Sequence, residues 1–353
     1  MRSTNLDVAA APSLALAART AEFERRVDAV RGLLSRRGVG AAVLVARRNF
    51  AWLTVGGVNH VVLAADDGAA PILVTQEGVT VLAPINEAAR IREEEIADLD
   101  VEIVELAWFD ANAADREAAR RASGSLANDA DLEDELAAHR SVLPDVDADR
   151  LRWLGHAVDA AVGEAIRSIR RGDREDDIAA RLQFLLASVG IRVPVVLAAA
   201  DDRIVRYRHP LPGPTQVERR LMLVAVAERW GLHAAVTRFA ELEEPDRQVA
   251  RRFAAVRSVQ EAMHAATAPG ATLGDVLDAA RAAYAETGFA EEWRLHHQGG
   301  SIGYRGRERI AVPGDATPVR PGMAFAWNPS ITGVKVEDTI LLGADGSREI
   351  ITR

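Results

Sequence analysis

From Glu22 to Arg37 the apolar residues Phe23, Val27, Val30, Leu33 and Leu34 fall on one helical stripe. Gly38 and Gly40 end that pattern. Ala41 to Val45 is a short unbroken apolar run of the kind buried strands show. Phe50 to Val55 and Pro71 to Val74 predict further strands, and Val79 to Leu82 follows a Glu77-Gly78 turn. Strands alternating with helices predict a small α/β domain. Asp110 to Asp134, rich in Ala, Arg and Asp, predicts surface helix and loop. Pro144-Asp145-Val146-Asp147 reads as the connection to a second domain.

The second half of the chain repeats itself. Gly172 and Gly190 bracket a helical pattern carrying Asp177, Ile178, Leu182, Leu185 and Leu186. Gly270 and Gly288 bracket another with Asp275, Val276, Leu277 and Tyr284. Both pairs stand 18 positions apart, and in both an Asp followed by a β-branched residue lies five positions after the first glycine. A longer helical pattern precedes each, over 149–171 and 246–267, and an apolar strand-like stretch follows each. A duplicated helix-helix-strand unit accounts for this.

Composition narrows the function. A length of 353 residues with 48% hydrophobic content suits two domains with sizeable cores. A net charge of −9 argues against a nucleic-acid partner. The absence of cysteine excludes disulfides, thiolate ligands and a thiol nucleophile. No apolar run reaches membrane-spanning length, so no membrane partner is expected. The run from Val8 to Ala18 loosely resembles a leader, but Asp7 and Pro12 interrupt it, and residues 1–20 read as a mobile tail before a cytoplasmic enzyme. Of the 43 basic residues only Lys335 is a lysine, which marks that position in an arginine-biased chain. The chain has no phosphate-cradling glycine loop with the lysine and hydroxyl of a P-loop.

Four segments, taken in order, carry a family resemblance: Arg206-Tyr-Arg-His-Pro210, Leu221 through Thr237-Arg238, His296-His-Gln-Gly-Gly-Ser-Ile-Gly-Tyr-Arg-Gly-Arg-Glu308, and Pro321-Gly-Met through Asn328-Pro329 to Lys335-Val-Glu-Asp-Thr339. Together they resemble the creatinase, prolidase and methionine aminopeptidase family. The resemblance implies a creatinase-type N-terminal α/β domain over 21–148. It implies an α+β pita-bread (creatinase/aminopeptidase) C-terminal domain over 149–353, with a pseudo-twofold internal repeat around a curved antiparallel sheet. It also implies a homodimer. Family enzymes hold two divalent metals with two Asp, one His and two Glu. Here those positions fall on Val224, Ala235, Gly300, Asn328 and Glu337, so the resemblance implies no usual metal pair and no cofactor.

The retained polar residues define the candidate site. His209 matches the family's substrate-side histidine, and with Glu337 it resembles the catalytic pair of creatinase, a metal-free member. Lys335 and Glu337, two apart on a strand, share a face, and their pairing would keep Glu337 ionised as a base. His296 and His297, as strand neighbours, would face opposite ways, so at most one of them lines the site; His297 is read as catalytic and His296 as substrate-side. Asn328, Tyr304, Glu308 and, for a substrate carboxylate, Arg238 and Arg305 complete the binding set. The backbone at Gly299-Gly300 offers donors for an oxyanion.

Three readings stand open. The first is a metal-independent, creatinase-like enzyme hydrolysing a C–N bond of a small amino-acid-derived substrate, with His209 shuttling the proton. The second is a catalytically inactive binding module. The third is an Xaa-Pro peptidase with an altered metal site, for which His209, His297 and Glu337 are the replacement ligands.

Overall fold

A computed structural model describes residues 6–353, so the first five residues of the expected tail lie outside the described residues. Two compact units emerge: Ser13–Arg140, and Ser141–Arg353 together with the described residues up to Pro12.

The first unit runs α1 (Leu16–Arg37), β1 (Ala41–Ala46), α2 (Arg47–Leu53), β2 (Asp67–Thr75), β3 (Val79–Pro84), α3 (Ile85–Arg90), β4 (Glu102–Leu106), α4 (Ala113–Arg121), β5 (Leu126–Asn128) and α5 (Glu133–Arg140). The strands form one mixed sheet in the order β4-β3-β2-β1-β5. The hairpin-linked neighbours β2 and β3 are antiparallel, whereas β4 and β5 join in parallel through helical crossovers. Helix α1 begins at Leu16, inside the segment expected to be a tail, because Phe23, Val27, Val30 and Leu34 bury its inner stripe. The strand expected over Phe50–Val55 is instead the end of α2. Asn49 to Leu53 are all buried, and a short run buried on every side has no period to separate helix from strand.

The second unit opens with α6 (Asp145–Ser168), α7 (Glu175–Ala187), β6 (Arg192–Ala200), the short α8 (Asp202–Arg206), β7 (Arg220–Arg229) and β8 (Leu232–Glu241). It then repeats the helix pair with α9 (Arg247–Ala266) and α10 (Leu273–Glu286). Short strands follow: β9 (Gly299–Ile302), β10 (Arg309–Ile310), β11 (Ala324–Trp327), β12 (Ser330–Ile331), β13 (Val334–Lys335), β14 (Asp338–Leu342) and β15 (Arg348–Ile350). Strands β6-β7-β8 form one antiparallel sheet and β10-β9-β11-β14-β15 another. A bridge between Thr237 and Glu337 links them.

The apolar faces of α9 and α10 close over Phe325 and Trp327 of β11, and the Trp327 indole donates to Thr267 Oγ1 at 2.9 Å. That packing fixes the strand from which Asn328 leaves. Among the described residues, no helix is long and apolar enough to cross a membrane.

Candidate functional site

The bridge between the two sheets places Glu337 at their junction. Its side chain is 1% exposed. Oε1 accepts from Arg307 at 2.7 Å, and Oε2 accepts from Lys335 Nζ at 2.9 Å and from Thr237 Oγ1 at 2.7 Å. Burial by itself would push this carboxyl up, but the Lys335 and Arg307 cations outweigh it and hold Glu337 well below the usual carboxylate range. The lysine-glutamate pair expected from strand parity is therefore formed. The same two cations that keep Glu337 ionised also lower its basicity.

Three imidazoles stand near this ion cluster. His209 Nε2 lies 3.0 Å from His296 Nε2. The rings of His296 and His297 stack at 4.3 Å with 26° between their planes. One nitrogen from each of the three lies within 4.8 Å of one from each of the others. The expectation that His296 and His297 face opposite ways is corrected: both precede β9 in irregular chain, where strand alternation does not apply.

The loops are fixed by named bonds. Arg208 bonds Glu292 at 2.8 Å and Thr332 at 2.9 Å, which holds His209 toward the 292–296 turn. Gln298 donates to the carbonyls of Trp293 and His296, and its Oε1 accepts from the buried Tyr284 hydroxyl at 2.7 Å. Burial and then the Lys335 charge push His209 and His296 below the ordinary histidine range, His296 to about 2. Burial and then Arg307 push His297 to about 4. A neutral imidazole keeps one lone pair per ring, and at the 3.0 Å contact one of the His209 and His296 Nε2 atoms donates to the other.

Other expected residues divide. Asn328 is 2% exposed, and its Oδ1 is buried without a hydrogen-bond partner among the described residues, as is Ser330 Oγ across the β12–β13 pair from Lys335. Arg238 is committed to the fold: it bonds Asp159 at 2.8 Å, Asp338 at 2.9 Å and the Thr352 carbonyl. Tyr304 is buried and donates to Asp147 at 2.8 Å. Arg305 is exposed, and Glu308 donates its backbone N–H to Ser301. Arg307 is the guanidinium that reaches the Glu337 carboxylate, whereas Arg238 reaches only the Glu337 backbone carbonyl, at 3.2 Å. No spacing rule distinguishes it from its neighbours in Tyr-Arg-Gly-Arg. Thr237 is legible in the sequence as the same-face neighbour of Ala235, two along β8.

Gly299 and Gly300 lie in β9, paired on both edges by β10 and β11, so they form sheet rather than an oxyanion loop. A Cβ on Gly300 would stand 1.9 Å from the Arg309 carbonyl oxygen. Val224 and Ala235, on the adjacent strands β7 and β8, are buried among apolar neighbours.

Comparison with known proteins matches residues 149–344 to metallopeptidase family M24. A probable dipeptidase, PepE, of Mycobacterium tuberculosis is 28% identical over 226 residues, 61% of this chain and 59% of that protein. An Xaa-Pro dipeptidase of Pyrococcus horikoshii is 28% identical over 206 residues, 54% of this chain and 57% of the relative. The chain thus spans less than two thirds of the length of these curated relatives. The crystal structure of the prolidase from Pyrococcus horikoshii superposes with a TM-score of 0.78 at 20% identity, covering 93% of this chain and 98% of that one. An α/β N-terminal unit followed by a doubled helix-pair-and-sheet unit is the creatinase–prolidase pita-bread fold, and the chain belongs to metallopeptidase family M24.

Proposed function

We propose that the protein hydrolyses the C–N bond of a small amino-acid-derived amide, with Xaa-Pro dipeptides the first class to test. The observation that carries this is a buried carboxylate, Glu337, clamped by Lys335 and Arg307 in an M24 chain. Glu337 orients the two cations, whose remaining N–H donors face the carbonyl oxygen as it becomes an oxyanion. Water attacks the carbonyl carbon, His209 takes its proton, and the proton passes to the leaving nitrogen as the C–N bond breaks. Asn328, with its buried unpartnered oxygen, orients the substrate through a hydrogen bond.

The donors at the five family positions do not fit a pair of divalent metals. Val224 and Ala235 have no ligand atom, Gly300 has no room for a side chain, and Glu337 already carries two cationic groups. The three imidazoles favour a second version of the same reaction, a peptidase with an altered single-metal site.

The test is a thermal-shift screen of Xaa-Pro dipeptides, amino-acid amides and cyclic amidines, followed by turnover assays with and without chelator. Conversion by the parent, lost in Glu337→Gln and in the more exposed His209→Ala, supports the proposal. Compounds that bind and are never converted make the protein a binding module, and variants as active as the parent refute the roles given. Family resemblance also supports a homodimer, which light scattering would register at twice the 38.0 kDa chain mass.

A further inference from the structure

We infer that His209, His296 and His297 form a binding site for one divalent transition-metal ion of the borderline class (zinc, cobalt or nickel), built from neutral nitrogen donors and distinct from the five family ligand positions. Two nitrogens 3.0 Å apart and each about 2.1 Å from an ion subtend about 90° at it, the angle of adjacent ligands on a six-coordinate ion and about 20° short of the tetrahedral angle. Tetrahedral donors about 2.1 Å from one ion lie about 3.4 Å apart, and the three here lie within 4.8 Å of one another, so an inward swing of about 1.4 Å at most closes the set.

The donors come from two loops far apart in sequence, and each loop is braced independently of the rings. The Arg208–Glu292–Thr332 bonds hold one, and the Gln298–Tyr284 bond holds the other. Preformed ligand placement of this kind lowers the ordering cost of binding. A second observation points the same way. Nδ1 of His297 is buried without a hydrogen-bond partner among the described residues, and a buried imidazole nitrogen left unmade is costly.

The surroundings set the selectivity. Hard cations such as magnesium and calcium take oxygen ligands, whereas imidazole suits zinc, cobalt and nickel. The Lys335 and Arg307 cations, offset by one Glu337 carboxylate, repel a dication and leave its open positions to anions. Without carboxylates or carbonyls bonded to the free ring nitrogens, affinity is modest, because such outer partners are worth about 10–100-fold. The site would place the ion beside the proposed hydrolytic centre but does not depend on turnover. Binding without turnover keeps the site and drops the hydrolysis. Turnover that persists with no binding does the reverse.

The experiment strips the full-length protein with chelator and titrates it with cobalt, following the visible ligand-field bands, with calorimetry for zinc, nickel and magnesium. One cobalt per chain in the micromolar range is expected, displaced by zinc and unaffected by magnesium. His209→Ala and His297→Ala each weaken binding by at least about tenfold, while Lys335→Met, which removes a repelling charge, tightens it. Circular dichroism melts confirm that the variants are folded. Should His297→Ala not fold, His209→Ala, on the exposed loop, carries the test alone. Absence of cobalt bands at millimolar metal overturns the site. So does binding unchanged in the histidine variants, which marks an adventitious ion only, or binding of magnesium that depends on Glu337.

Discussion

The inner faces of the two sheets in the C-terminal unit have met opposite fates. Val224 of β7 packs in an apolar cluster with Leu197, Ala199, Ile204 and Met222, and Ala235 of β8 is fully buried, so on this side Thr237 is what reaches the Glu337 carboxylate. The β11–β14 side keeps Asn328, Ser330, Lys335 and Glu337, each at most 5% exposed. Lys335 and Glu337 are held by ion pairs, and Asn328 and Ser330 leave buried polar atoms without partners among the described residues. A polar centre that had merely fallen out of use would gain stability by turning apolar on both sides, since buried charges are expensive unless paired. Retention mainly on one side, with Arg307 and Lys335 balancing Glu337 and Thr237 alone joining from β8, argues for a ligand that still needs that side.

Four measurements test this contrast, from the largest expected effect to the smallest. Glu337→Ala strands two cations in the interior and is expected to cost about 3–5 kcal/mol in denaturant unfolding. A cost below about 1 kcal/mol would show that the cluster is solvated and not a buried triad. Val224→Asp puts a carboxyl into the apolar side and should cost about 2–3 kcal/mol at neutral pH, less in acid as the group protonates. A neutral effect with gained metal affinity would instead make β7 a dormant ligand shell.

Acid provides the third test. Burial holds His264 of α9 at about 4, below its ordinary 6.5. The unfolded chain therefore binds the proton first, and stability falls as pH drops from about 6.5 toward 4. His264→Gln should flatten that limb by on the order of 1–2 kcal/mol; an unchanged limb would place the acid-sensitive group elsewhere. Glu337, lowered in the fold, contributes stability above about 4.5 that is lost only as pH falls further toward 2, so the two groups separate along the titration.

The smallest effect lies in the helices that follow the matched glycines. Thr272 caps α10 in a reciprocal capping box with Asp275, whereas the equivalent Arg174 gives α7 no side-chain cap. Thr272→Ala should cost about 1 kcal/mol and Arg174→Thr should gain a few tenths. Equal effects at the two sites would mean that the helix starts are not equivalent.

Much of the architecture is legible in the amino-acid sequence, because it rests on local rules. Helices α6, α7, α9 and α10 follow from apolar period and glycine boundaries, and β1 and β3 from short apolar runs between turns. Phe50–Val55 escapes those rules, because uniform burial erases the period. His296 and His297 escape them as well, because alternation holds only for residues within a strand. At the candidate site, parity alone pairs Lys335 with Glu337. Arg307 cannot be told from Arg238 and Arg305 in the same way, because three arginines in similar surroundings differ only in what lies across from them.

The sequence by itself determined which segments became most of the helices and strands, that the second half is doubled, and that Val224, Ala235 and Gly300 offer no ligand atoms. These are properties of residues and of their immediate neighbours along the chain. The tertiary structure decided that His209 meets His296 across 87 positions, that Arg307 closes on Glu337 across 30, and that Arg238 turns away to Asp159 and Asp338. Such contacts depend on where two sheets and their loops come together, and local propensity carries no information about that meeting until the core has fixed it.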